Sequence, residues 1–176
     1  MFNASSAKYL FKADDPLGHL CTTSWNKLFG STRCGLLNDI HKDSDRFVWR
    51  RSQSCVIINS PFAVGEVPNC PEADYIELAA YAYDNYLRPF DTENQGTLLK
   101  IFDTKVKVNK YYGYRITVSR TSSLYELIDD TDNTVLETKT IDHRDCGSTY
   151  NQGTNSRFYF GGQCPAPVEV NACYDE

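Results

Sequence analysis

Nowhere in the 176 residues do Leu, Ala, Glu and Met recur in a sustained run at helical spacing, and the single methionine is the first residue. That deficit argues against helical bundles and α/β folds and leaves a β-rich class. Apolar runs are short as well: the longest, such as 55–58, fall far below the roughly 20 residues that a membrane helix needs. No membrane span is expected. Dense basic surface is missing too, and a net charge of −5 excludes a nonspecific nucleic-acid partner, because phosphate contacts require clustered Lys and Arg. There is no Cys-x-x-Cys pair, no Gly-x-Ser-x-Gly elbow, no phosphate-binding glycine loop and no internal repeat, so zinc ribbons, α/β-hydrolase chemistry and nucleotide cradles have nothing to stand on. The N-terminus shows no charged region followed by an apolar core.

What the chain does have is alternation. From Tyr75 to Tyr83, Ile76, Leu78, Ala80 and Ala82 share one face, while Tyr75, Glu77, Ala79, Tyr81 and Tyr83 share the other. A period of two is an extended strand with one face on a core and the other free for solvent or ligand. This is the central strand of the reading. Shorter strands are expected at 9–11, 46–50 and 55–59, then at 98–108 and 112–119, where Tyr112, Tyr114, Ile116 and Val118 line one side. The runs 124–128 and 135–141 flank Asp129-Asp130-Thr131-Asp132-Asn133-Thr134, a turn-rich segment that predicts a hairpin. Residues 158–160 and 168–174 are expected to close the fold, and 21–45 reads as loop with at most one helical turn. Many short strands with polar turns predict one all-β domain over 1–176, an antiparallel β-sandwich or barrel.

Seven cysteines at wide spacings read as disulfide staples formed in an oxidising compartment. The chain is therefore expected to be extracellular, secreted with its leader removed. Neighbouring pairs Cys21 with Cys34, Cys55 with Cys70, and Cys146 with Cys164 are the expected bridges, leaving Cys173 unpaired.

Tyr114-Arg-Ile-Thr-Val-Ser, Tyr125-Glu-Leu-Ile-Asp, Val135-Leu-Glu, Phe158-Tyr-Phe-Gly-Gly and Val168-Glu-Val-Asn-Ala-Cys-Tyr give residues 95–176 a layout that resembles concanavalin A-like and laminin G-like jelly rolls. The resemblance implies a jelly-roll sandwich and a polysaccharide or glycan as ligand, and leaves binding and cleavage both open.

Three constellations fit that expectation. Tyr81, Tyr83, Tyr86 and Trp49 offer flat apolar faces to sugar rings, with Asp84, Asn85 and Arg88 as hydrogen-bonding neighbours. These make a lectin-like module the leading reading. Glu72, Asp74 and Glu77 fit the Glu-x-Asp-x-x-Glu pattern of retaining jelly-roll glycoside hydrolases, in which two carboxylates about 5 Å apart act as nucleophile and acid/base. That is the alternative, with a lyase beside it. Asp129, Asp130, Asp132 and Asn133, or Asp43 and Asp45, have oxygen ligands suited to calcium. Asx-rich turns need no ion, so no cofactor is expected. A lipocalin-type small-ligand barrel, suggested by Trp25 ahead of the first clear strand, is the second alternative, and nothing in the sequence sets an oligomeric state.

Overall fold

The computed structural model describes residues 7–10, 25–34, 43–52, 54, 56–60, 63–66, 69–71, 75–83, 97–107, 110–145, 147 and 154–155. Twelve strands lie among them: β1 (Ala7–Leu10), β2 (Asn26–Thr32), β3 (Ser44–Arg51), β4 (Val56–Ser60), β5 (Ala63–Glu66), β6 (Tyr75–Tyr83), β7 (Thr97–Ile101), β8 (Val106–Lys107), β9 (Tyr111–Val118), β10 (Ser122–Asp129), β11 (Val135–Asp142) and β12 (Thr154–Asn155). Every pairing is antiparallel. A four-stranded sheet runs β1-β9-β10-β11, and a six-stranded sheet runs β12-β2-β3-β6-β7, with β8 also on β6. The β4-β5 hairpin stands as a small sheet of its own. No helix of the described residues is long and apolar enough to cross a membrane.

The two large sheets pack face to face because each strand sorts its apolar residues to one side. Leu28, Phe47, Ile76, Leu78, Ala80 and Ala82 of the six-stranded sheet meet Tyr112, Tyr114, Ile116, Tyr125, Leu127 and Ile141 of the other in one buried cluster. Phe47 is its centre. Its ring packs edge-on to Tyr114 and Tyr125, both with centroids at 5.4 Å, and tilted against Phe102 at 5.8 Å, geometries that suit the ring quadrupoles. The alternation expected along β6 and β9, and the β10–β11 hairpin, are all present. All-β sandwich packing thus follows from the period-two pattern, and the described strands form open sheets with edges rather than a closed barrel.

Two expectations need correction. Residues 26–32 form β2, an inner strand between β12 and β3, where loop was expected. Its register slips between Lys27 and Gly30, so the apolar period is broken where a reader of sequence would look for it. Gly30 is there because of crowding: a Cβ would lie 2.0 Å from the Asp45 carbonyl oxygen. The single strand expected over 98–108 is two, β7 and β8, both paired with β6 and separated by 102–105. Phe102 fills the gap, its N–H donating to the Leu78 carbonyl at 2.9 Å and its ring buried in the core.

Along one side of the sandwich the sheets are tied by polar groups. Lys100 Nζ donates to the Thr140 carbonyl at 2.6 Å, and the Glu137 carboxylate accepts the backbone N–H groups of Asp103 (3.0 Å) and Thr104 (2.8 Å). Of the cysteines, Cys34 and Cys70 are described, and both are disulfide-bonded. Cys21, Cys55, Cys146, Cys164 and Cys173 lie outside the described residues, as do the strands expected at 158–160 and 168–174.

Candidate functional site

Strand β6 positions the site. Because its even-numbered residues serve the core, Tyr75, Glu77, Ala79, Tyr81 and Tyr83 point to the opposite face of the six-stranded sheet. On that face Tyr81 and Tyr83 are half-buried, with ring centroids 5.0 Å apart and planes at 79°. One ring presents its face beside the edge of the other, which makes an aromatic corner. Leu99 and Ile101 of β7, in register with Tyr81 and Ala79, are 39% and 43% exposed and extend the apolar rim.

On its other side β6 pairs with β3, and Arg46 lies directly across from Tyr81. Arg46 is fully buried. Among the described residues no acceptor reaches any of its three guanidinium nitrogens. Burial lowers its pKa from the ordinary arginine value, and the Tyr83, Tyr81 and Tyr125 phenols offset part of that effect.

Beside it, a buried polar network joins the two sheets. Arg33 Nε donates to Asp45 Oδ2 at 2.5 Å, and Arg33 Nη2 to the Tyr83 carbonyl at 2.7 Å. Tyr125, reaching over from β10, donates its hydroxyl to Asp45 Oδ1 at 3.0 Å, and its oxygen also lies 3.1 Å from the Tyr81 carbonyl. Burial first, then the Asp45 carboxylate, raises the Tyr125 pKa well above the usual phenol value, so the hydroxyl stays a neutral donor. Asp43 takes a fork of two bonds from Arg144, at 3.1 and 2.8 Å. These are the two aspartates considered above for calcium; each is occupied by an arginine.

Further along the same face, Arg50 Nε binds Glu77 Oε2 at 2.7 Å and its guanidinium lies 4.3 Å over the Trp25 ring. Trp49 is elsewhere. It sits in register with Leu78 and packs against the core, on the face away from Tyr81 and Tyr83. The structure thus brings Tyr81 and Tyr83 together and separates Trp49 from them. Asp84, Asn85, Tyr86 and Arg88 lie outside the described residues, as do Glu72 and Asp74 of the hydrolase pattern.

The hairpin turn uses its acidic groups internally. Asp129 binds Lys110 Nζ at 2.6 Å and the Thr131 N–H at 2.9 Å, and Asp132 accepts the Thr134 N–H at 2.9 Å. Lys110 first, and then the Thr131 N–H, hold the Asp129 carboxyl down at about 2. Asn133 takes a left-handed φ of 58°, a conformation that Asn tolerates well. Among the described residues no group of three or more His, Cys, Asp or Glu side chains is placed to hold a metal ion.

No family model, curated protein or solved structure matches the chain. The aromatic corner beside a buried arginine therefore has to be understood from its own chemistry. Sequence reasoning found Tyr81 and Tyr83 through their period. It missed Arg33, which follows the end of β2, and Arg46, which register places on the Tyr81 face of β3, because their burial has no signature in the local sequence.

Proposed function

We propose that the chain is a secreted glycan-binding module on a jelly-roll sandwich. The observation that carries this reading is the Tyr81–Tyr83 corner, held half-exposed on the face of the sheet away from the core. A sugar ring has one relatively apolar face of C–H groups, and an aromatic face beside an aromatic edge offers it contact from two directions at low entropic cost. The apolar rim at Leu99 and Ile101 extends that contact. Disulfide bonding of Cys34 and Cys70 supports an oxidising, extracellular setting.

The test is electrophoresis of the native protein through gels cast with single polysaccharides, stained afterwards for the polymer. Retardation in at least one gel with the polymer intact supports binding; cleared zones would establish an enzyme; unaltered migration throughout would remove the reading.

A further inference from the structure

The aromatic corner continues onto the next strand. Leu99 and Ile101 of β7 are in register with Tyr81 and Ala79, so both share the face of the corner, and both stay exposed to solvent. Tyr83, Tyr81, Leu99 and Ile101 thus form an accessible apolar strip that follows the strand direction and steps once from β6 to β7. From Tyr83 to Ile101 it covers four residues of strand rise and one strand spacing, roughly 14 Å between Cα atoms, which is longer than a single sugar ring. Charge is kept off this strip. Lys100, between the two β7 residues, is in register with Ala80 and turns to the other face, where its amine donates to the Thr140 carbonyl at 2.6 Å. Arg46, across from Tyr81, exposes none of its guanidinium nitrogens, and Glu77, farther along β6, is held by Arg50.

We propose that the strip holds consecutive units of a neutral, extended polysaccharide whose linkages and hydroxyls are all equatorial, a chain of cellulose or xylan type. This rests on the glycan-binding reading and narrows it to one class of polymer. An all-equatorial chain is a flat ribbon that lays the C–H faces of successive rings on one straight apolar surface and keeps its hydroxyls at the rim, in water. A coiled α-linked glucan curls away from such a surface after the first rings. A carboxylate or sulfate laid on the strip would give up hydration without an ionic partner there, and the net charge of −5 repels a polyanion at longer range.

The experiment is titration calorimetry of the wild-type protein with cellohexaose, xylohexaose, maltohexaose and the hexamer of galacturonic acid, and with cellobiose as the short ligand. At least one of the first two hexamers is expected to bind about tenfold more tightly than maltohexaose, than the acidic hexamer and than cellobiose, because only an extended chain covers both the tyrosines and the aliphatic residues. Ile101→Ser, a change at an exposed side chain, is expected to weaken binding of that hexamer several-fold and to leave cellobiose binding as it was. Tighter binding of maltohexaose or of the acidic hexamer would overturn the assignment while leaving glycan binding intact. So would equal binding of hexamer and cellobiose, or an Ile101→Ser variant that binds the hexamer as the parent does. The wild-type comparison of sugars decides the matter even where the variant fails to fold. Absence of binding to all of these sugars, together with unaltered migration in every polysaccharide gel, would overturn both readings together.

Discussion

The hydroxyl of Tyr125 on one sheet donates to the carboxylate of Asp45 on the other at 3.0 Å, with both side chains fully buried. One phenolic proton faces two acceptors, Asp45 Oδ1 and the Tyr81 carbonyl, and the charged oxygen is the stronger claimant. The bond therefore ties β10 to the strand pair that carries the aromatic corner, and sets the position of Arg33 as well.

Tyr125→Phe keeps the ring against Phe47 and deletes only that hydroxyl. Leaving a buried carboxylate one donor short is expected to cost about 1–3 kcal/mol. Urea unfolding followed by tyrosine fluorescence should show the lower midpoint; an unchanged midpoint would mean that Arg33 alone satisfies Asp45.

Gly30→Ala tests the close approach of β2 and β3. A methyl at this position meets the Asp45 carbonyl oxygen at 2.0 Å and Arg46 Cγ at 2.5 Å, so the backbone must move. Overpacking of this kind is expected to cost about 1–3 kcal/mol or more. A variant as stable as the parent would show that β2 and β3 have room to separate.

How far the sequence foretold this architecture depends on whether an element's evidence was local. β6, β9 and the β10–β11 hairpin could be seen in advance because alternation recurs along strands of eight or nine residues, with only local breaks such as those at Ala79 and Gly113. β2 could not, because a register slip and Gly30 interrupt its period. Tyr81 and Tyr83 were visible on the same grounds as β6. The charge network was not: Asp43 and Arg144 are 101 residues apart and Tyr125 and Asp45 are 80 apart, and Arg33 and Asp45, though only 12 apart, follow no local spacing that marks them as partners. Asp43 and Asp45 consequently looked like loop carboxylates suited to an ion, whereas both are buried acceptors for arginine. Trp49 was grouped with the tyrosines by residue type alone, and register puts it on the other face.

Acid should loosen the side of the sandwich where Glu137 caps the backbone. Burial alone would raise the Glu137 carboxyl, but Lys139 and the N–H groups of Thr104 and Asp103 outweigh it and hold the group at about 2, below its unfolded value of 4.5. A depressed pKa stabilises the fold above the unfolded value, and that contribution is lost as pH falls from about 4.5 toward 2. Asp129, held at about 2 against an ordinary value of 3.8, acts in the lower part of that window. Glu137→Gln is expected to flatten part of the pH dependence of the unfolding midpoint between those values. A profile identical to the parent's would contradict the assignment.

The hairpin turn is expected to be indifferent to calcium. Asp129 and Asp132 already accept hydrogen bonds from Lys110, Thr131 and Thr134, and an ion would have to displace them. Thermal unfolding with chelator and with millimolar calcium should give the same midpoint; a rise of several degrees on adding calcium would show a site that these contacts conceal.

The central claim is that Tyr81 and Tyr83 form the glycan contact, and the most direct measurement is the retardation of Tyr81→Ala and Tyr83→Ala in a gel cast with the polysaccharide that slows the wild-type protein. Tyr111→Ala, on the four-stranded sheet with its residue 38% exposed, is the control. Each corner variant is expected to lose about tenfold in affinity, equivalent to about 1.4 kcal/mol, while Tyr111→Ala migrates as the parent does. Retardation of both corner variants equal to wild type would contradict the account.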